Sequence, residues 1–141
     1  MFRTDLSRVR LLIKRPFLVI LFLFSYVPVY AEWVVLEKQY QPTGLETVSF
    51  DPNTIQRAGG RAALWHLTDI KWNSTTRFLS SKTHEEFDCG GSRVRVLQVI
   101  EFSRQMGTGG STPGYIKNGG WQGIESHSAD HALLSTACET D

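Results

Sequence analysis

Two histidines four residues apart, His127 and His131, flank Asp130 near the end of the 141-residue chain. On a helix that spacing puts both imidazoles on one face, as in helical metal pairs, with Asp130 as a third ligand. No glutamate completes an HExxH motif, and the simpler reading is two solvated histidines at a helix end. His66 is a second candidate, but its apolar neighbours read as a strand in which a histidine finds a structural partner. Serine, histidine and aspartate all occur, yet no GxSxG elbow holds a serine. The Gly107-Thr108-Gly109-Gly110 stretch lacks the Gly-Lys-Ser/Thr of a phosphate loop. Glu85, Glu86 and Asp88 form an acidic run that reads as a solvated edge, with a weak cation site as its rival. Asn73-Ser74-Thr75 fits a glycosylation sequon, which matters only in a host with that machinery. These residues assign no catalytic, cofactor-binding or metal-binding set, and no cofactor is expected.

The remaining reactive pair is Cys89 and Cys138. Its meaning depends on compartment. Residues 1–31 carry a basic start (Arg3, Arg8, Arg10, Lys14, Arg15), an apolar run from Phe17 to Phe24, and Val29-Tyr30-Ala31. That is the three-part pattern of a secretory signal peptide, cut after Ala31. The run stops near 13 residues, short of the roughly 20 needed to span a bilayer. The remaining domain, Glu32–Asp141, has 110 residues. Five basic residues and one acid leave with the signal, so ten basic and thirteen acidic residues remain and the net charge moves from +1 to −3. A mildly acidic domain is a poor partner for nucleic acid or anionic lipid. Glu32 stands where a bacterial lipoprotein carries its lipidated cysteine, so periplasmic or secreted protein is expected ahead of surface attachment. In an exported chain two cysteines without a CxxC motif predict a structural disulfide rather than a metal pair or a catalytic thiol.

The elements that must position these residues are strands first, then one helix. Trp33–Leu36 and Thr47–Phe50 are short apolar strands separated by the Pro42-Thr43-Gly44 turn. Ala58-Gly59-Gly60 turns the chain into Arg61–Lys71, the best central strand. Its alternation puts Ala63, Trp65, Leu67 and Asp69 on one face and Ala62, Leu64, His66, Thr68 and Ile70 on the other. Trp72–Thr76 reads as a loop. Leu79–Cys89 and Arg93–Phe102 form a hairpin about Gly90-Gly91. On its second strand Val94, Val96, Gln98, Ile100 and Phe102 share a face, with Leu97 and Val99 opposite. Gly107–Gly123 holds seven of the twelve glycines and reads as a long mobile loop pinned by Trp121. A helix follows, capped by Ser126 or Ser128, with Asp130 at its positive end. Ala129, Leu133, Ala137 and Leu134, Cys138 make its apolar stripe. The bridge would staple this helix to the end of the Leu79–Cys89 strand. Strands joined by short Gly or Pro turns predict an antiparallel meander, giving an α+β fold.

The order of these features resembles the surface-adhesin protein E-like family of Gram-negative bacteria. The residues that carry the resemblance are Glu32-Trp33-Val34 after the signal and Phe50-Asp51-Pro52-Asn53-Thr54-Ile55. Ala63-Leu64-Trp65-His66-Leu67-Thr68-Asp69 follows, then Ser80-Ser81-Lys82 with Glu86-Phe87-Asp88-Cys89, Arg93-Val94-Arg95, Trp121 and the helix ending at Cys138. The resemblance implies about six antiparallel strands with the C-terminal helix packed on one face. It also implies a non-enzymatic binding module for extracellular-matrix, serum or envelope proteins. Candidate contact residues are Tyr115, Lys117 and Trp121, and an exposed sheet edge could pair with a second copy. The alternative is a small periplasmic enzyme or envelope accessory protein using His66 or the His127/His131 pair.

Overall fold

The computed structural model describes residues 32–42, 46–71 and 77–139. The expected signal segment (residues 1–31), Thr43-Gly44 and the expected Trp72–Thr76 loop with its sequon lie outside the described residues. Three long strands make the centre of one antiparallel sheet: β4 (Arg61–Ile70), β5 (Ser80–Asp88) and β6 (Arg93–Arg104). Shorter strands line their outer edges. Along β4 run β2 (Glu46–Phe50) and β3 (Gln56–Ala58), and β1 (Val34–Val35) extends beyond β2. Along β6 run β7 (Thr108–Pro113) and β8 (Gln122–Gly123). The continuous path holds six strands in the order β1-β2-β4-β5-β6-β7, and β3 and β8 bring the total to eight. Among the described residues one α-helix, α1 (Ala129–Cys138), covers one face.

Local chemistry explains the turns. Gly59 and Gly60 both take positive φ, 57° and 76°, between β3 and β4. Two left-handed residues are what a tight hairpin with the strands' own twist requires, and glycine adopts them without strain. The helix starts where expected: the Ser128 hydroxyl accepts the His131 N–H at 3.1 Å, and Asp130 sits in the first turn. At its other end Arg57 of β3 donates to the carbonyls of Ala137 and Thr136, at 2.7 and 3.3 Å. A cation on the last carbonyls satisfies the orphan acceptors and suits the helix dipole.

The core lies between helix and sheet. Ala132, Leu133, Leu134 and Ala137 pack with Leu36, Val48, Ala62, Leu64, Phe87 and Val94. Leu64, Phe87, Leu133 and Ala137 have no exposed surface. The disulfide joins Cys89, just past β5, to Cys138 at the end of α1, with 5.7 Å between Cα atoms. The expected staple is therefore present, at the expected place.

Two expectations change. First, β6 carries a bulge: His84 pairs with Gln98 but Glu85 pairs with Val96, so Leu97 is the extra residue. An inserted residue reverses the alternation beyond it. Val94 and Val96 therefore share the helix side with Val99, while Ile100 and Phe102 point away from it. Second, the Gly107–Gly123 stretch is not one long loop. Its first third is β7 and its end is β8, which leaves Gly114–Trp121 irregular. Glycine lowers strand propensity, but an edge strand needs only a neighbour's ladder. Close approach also favours glycine here, because a Cβ on Gly114 would collide with the Val99 side chain.

Candidate functional site

The face turned away from the helix is built by the other half of each strand's alternation. Arg61 of β4 lies opposite Asp88 of β5, which lies opposite Arg93 of β6. One step along, Ala63, Glu86 and Arg95 form the next row. Cross-strand neighbours of opposite charge attract, and these do. Arg93 meets Asp88 at 2.7 Å, Arg95 meets Glu86 at 2.8 Å, and Arg61 reaches the same Glu86 oxygen at 3.6 Å. Hydrogen bonds from Arg93 and from the Gly91 N–H hold the Asp88 carboxyl below its ordinary range.

Trp121 completes this cluster. The guanidinium carbons of Arg95, Arg61 and Arg93 lie 4.6, 5.3 and 5.4 Å from its ring centre. A cation over an indole face is attracted by the ring quadrupole, so Trp121 pins the Gly114–Trp121 segment onto the sheet. Further along the same face Trp65 and His84 stack in parallel, with centroids 4.9 Å apart. Burial pulls the His84 imidazole down, against the nearby Glu86 carboxylate. Lys82 then sits 5.5 Å from the Trp33 ring and 5.2 Å from that of Phe102. The far end is closed by the turn after β6, where the Met106 N–H donates to Asp69 and the Gly107 N–H to Ser80.

A different cluster lies under the helix. His66 and Glu85 are both buried, and His66 Nε2 is 3.2 Å from Glu85 Oε2. The acidic run is thus split by the pleat of a central strand: Glu85 turns inward, while Glu86 and Asp88 turn to the opposite face. The expected solvated edge does not exist. Burial alone pulls the His66 imidazole down, but the carboxylates of Glu85 and Asp130 outweigh it and the net shift is upward. Burial also pushes the Asp130 carboxyl up, Glu85 adds to this, and His66 opposes it.

A pH dependence follows. His66 and Asp130, both raised, keep protons in the folded state that the unfolded chain releases, so the stability they contribute falls as pH rises, while the lowered Asp88 opposes Asp130 in the acid range. The His66 contribution is complete below its unfolded value of about 6.5 and is lost as pH climbs through its folded value. The lowered His84 has the opposite sign and blunts the slope. Urea unfolding across mildly acidic to alkaline pH should show greater stability on the acid side of neutrality. His66→Gln should flatten the neutral part of that curve. A wild-type stability that rises through neutrality would contradict this account.

The other sequence candidates separate. His127 is not on the helix: it precedes the Ser128 cap with φ of 64°, and its ring meets that of His131 edge to face at 6.3 Å. The helical four-residue spacing that suggested a metal pair is therefore not formed. Tyr115, 83% exposed, and Lys117 line a cleft of about 450 Å³ with Val96, Val99 and Ile116. Val96 and Val99 belong to the helix side, so Trp121 on the open face is not brought together with Tyr115 and Lys117. The sequence reading missed Arg61, Arg93 and Arg95 as partners of Trp121. A usable signal was present in the Gly90-Gly91 hairpin, which sets Arg93 and Arg95 opposite Asp88 and Glu86.

The architecture is shared with known proteins. The sequence model of the family described as Surface-adhesin protein E matches residues 33–139. Among solved structures, crystal form II of Haemophilus influenzae protein E has a TM-score of 0.59, covering 80% of this chain and 91% of that one at 9% identity. Another structure of Haemophilus influenzae protein E gives 0.58, covering 80% and 88% at 8% identity. At such identity the likeness is one of fold. No curated protein matches the sequence.

Proposed function

The chain belongs to the surface-adhesin protein E family, and on that premise we propose that it is an exported, non-enzymatic module that binds host or envelope proteins. The family match across residues 33–139 carries this reading. The geometry supports it. The histidines are held in pairs and stacks: His66 against Glu85 beneath the helix, His84 on Trp65, and His127 edge-on to His131 at the helix start. Residues 1–31 serve as the export signal in this reading, and Glu32–Asp141 as the working domain. Contact residues come from the sheet face bearing Trp121 and from the Tyr115–Lys117 rim. Edge strands β1 and β7 offer backbone ladders to a partner strand or to a second copy, and Val35 of β1 is 59% exposed.

The test uses the protein recovered after export. N-terminal sequencing should begin at Glu32, in the periplasmic or culture fraction. Biolayer interferometry against a panel of purified extracellular-matrix, serum and envelope proteins should show saturable binding, at micromolar or tighter Kd. An intact Met1 in the cytosolic fraction, or no binding across the panel, would count against the proposal.

A further inference from the structure

The charge of the domain is not spread evenly. Register puts Arg61, Lys82, Arg93 and Arg95 on the face away from the helix, with Glu86 and Asp88. Four of the ten cations of residues 32–141 thus share that face with two of the thirteen acids. Asp69 and Arg104, of opposite sign, cancel at its far end. The open face carries about +2 on a domain whose net charge is −3, so the remainder holds about −5. The side chains of Arg61 and Arg93 are half exposed, at 54% and 48%.

From this we infer that the open face, centred on Trp121 and its three arginines, docks an acidic patch of a partner protein. The inference rests on the binding-module reading and names the chemistry of the partner. Three observations lead to it. Tryptophan and arginine are the residues that most often dominate protein interfaces. Here they are ordered before any partner arrives. Trp121 packs against the guanidiniums, and Glu86 Oε1 is shared by Arg61 and Arg95. Less side-chain entropy is then lost on binding. Each guanidinium has five donors, so one shared carboxylate oxygen leaves N–H groups for a second acid.

Second, the cationic groups bracket a protein-sized surface. Lys82 lies six residues along β5 from Asp88, roughly 20 Å at about 3.3 Å per residue. Third, the aromatic rings do not suit a glycan or a single-stranded nucleic acid, which would stack on free ring faces. The Trp65 ring stacks on His84, and the Trp121 ring is held among guanidiniums. What remains outward is positive charge, not an open aromatic platform.

The probe is fluorescent poly-L-glutamate, read by polarisation against the exported protein. Binding should weaken about tenfold between about 20 and 200 mM salt, as the screening length shortens. The variant pair Arg61→Gln and Arg93→Gln should weaken it about tenfold at low salt. Lys38→Gln, a charge change in the exposed turn between β1 and β2, should alter it by less than about twofold. Near-UV circular dichroism of each variant confirms the native fold, and Arg61→Gln alone, which removes one exposed charge and should still weaken binding about threefold, serves if the glutamine pair does not fold. No binding at low salt, or an equal loss in Lys38→Gln, overturns the inference. Heparin bound more than about tenfold tighter than poly-L-glutamate overturns it in favour of a glycan. Where a panel protein still binds and ignores the arginine variants, the acidic-partner inference falls while the binding module stands. Where neither probe nor panel binds, both fall.

Discussion

Reducing the Cys89–Cys138 bridge should lower the melting temperature of this domain by about 15 °C or more. The bridge spans 49 positions. Removing a cross-link of that length releases about 4 kcal/mol of chain entropy to the unfolded state, by the loop-closure relation. Net stability for such a domain is about 5–15 kcal/mol, and each kcal/mol moves the transition of a domain near this size by about 4–8 °C. The location sharpens the expectation. The bridge ties the C-terminal end of the helix to the end of a central strand, and a ten-residue helix is marginal by itself. Arg57 and the buried Leu133 and Ala137 still hold the helix without it, so loosening should begin at residues 138–139. Thermal melts with and without reductant, repeated on a Cys89→Ser/Cys138→Ser variant, measure the effect. A transition that stays put in both would show that the bridge adds nothing to folding.

Phe87→Ala should cost about 3–5 kcal/mol, the range for deleting a buried phenylalanine. Phe87 has no exposed surface and pairs across the sheet with Ala62 and Val94, facing the helix. Its small neighbour Ala62 cannot fill the space, so a cavity remains beneath Leu133 and Leu134 of the same core. Cys89 is two residues away, so this change and loss of the bridge act on one junction and should not add simply. In the reduced protein the two together should leave little folded domain at room temperature. Urea unfolding measures it. A loss below about 1 kcal/mol would mean that the helix does not rely on this contact. Leu97→Ala is the contrast: Leu97 is 40% exposed on the bulge and should change stability by no more than about 1 kcal/mol.

Much of the fold was legible in the residues. The Ala62 to Ile70 alternation marked β4, and the paired glycines marked its hairpin, because both signals are local. Ser128 and the Leu133, Ala137 stripe marked the helix for the same reason. The candidate site was less legible. Trp121 stood out as an anchor, but its arginines come from strands 26 to 60 residues earlier in the chain. His66 read as a histidine with a structural partner, while the partner itself, Glu85, was hidden in a run of acids.

The sequence by itself determined the periodicities, the turns, the cysteine pair and the charge of the domain. These are properties of neighbouring residues and of totals. Register and packing decided the rest. One bulge at Leu97 exchanged the faces of half a strand. The sheet edge turned a glycine-rich stretch into β7. The pleat of β5 sent Glu85 under the helix and left Glu86 and Asp88 on the arginine face. A one-residue shift in pairing moves a side chain to the opposite side of a sheet, so which charges meet is set by tertiary contacts that no local window contains.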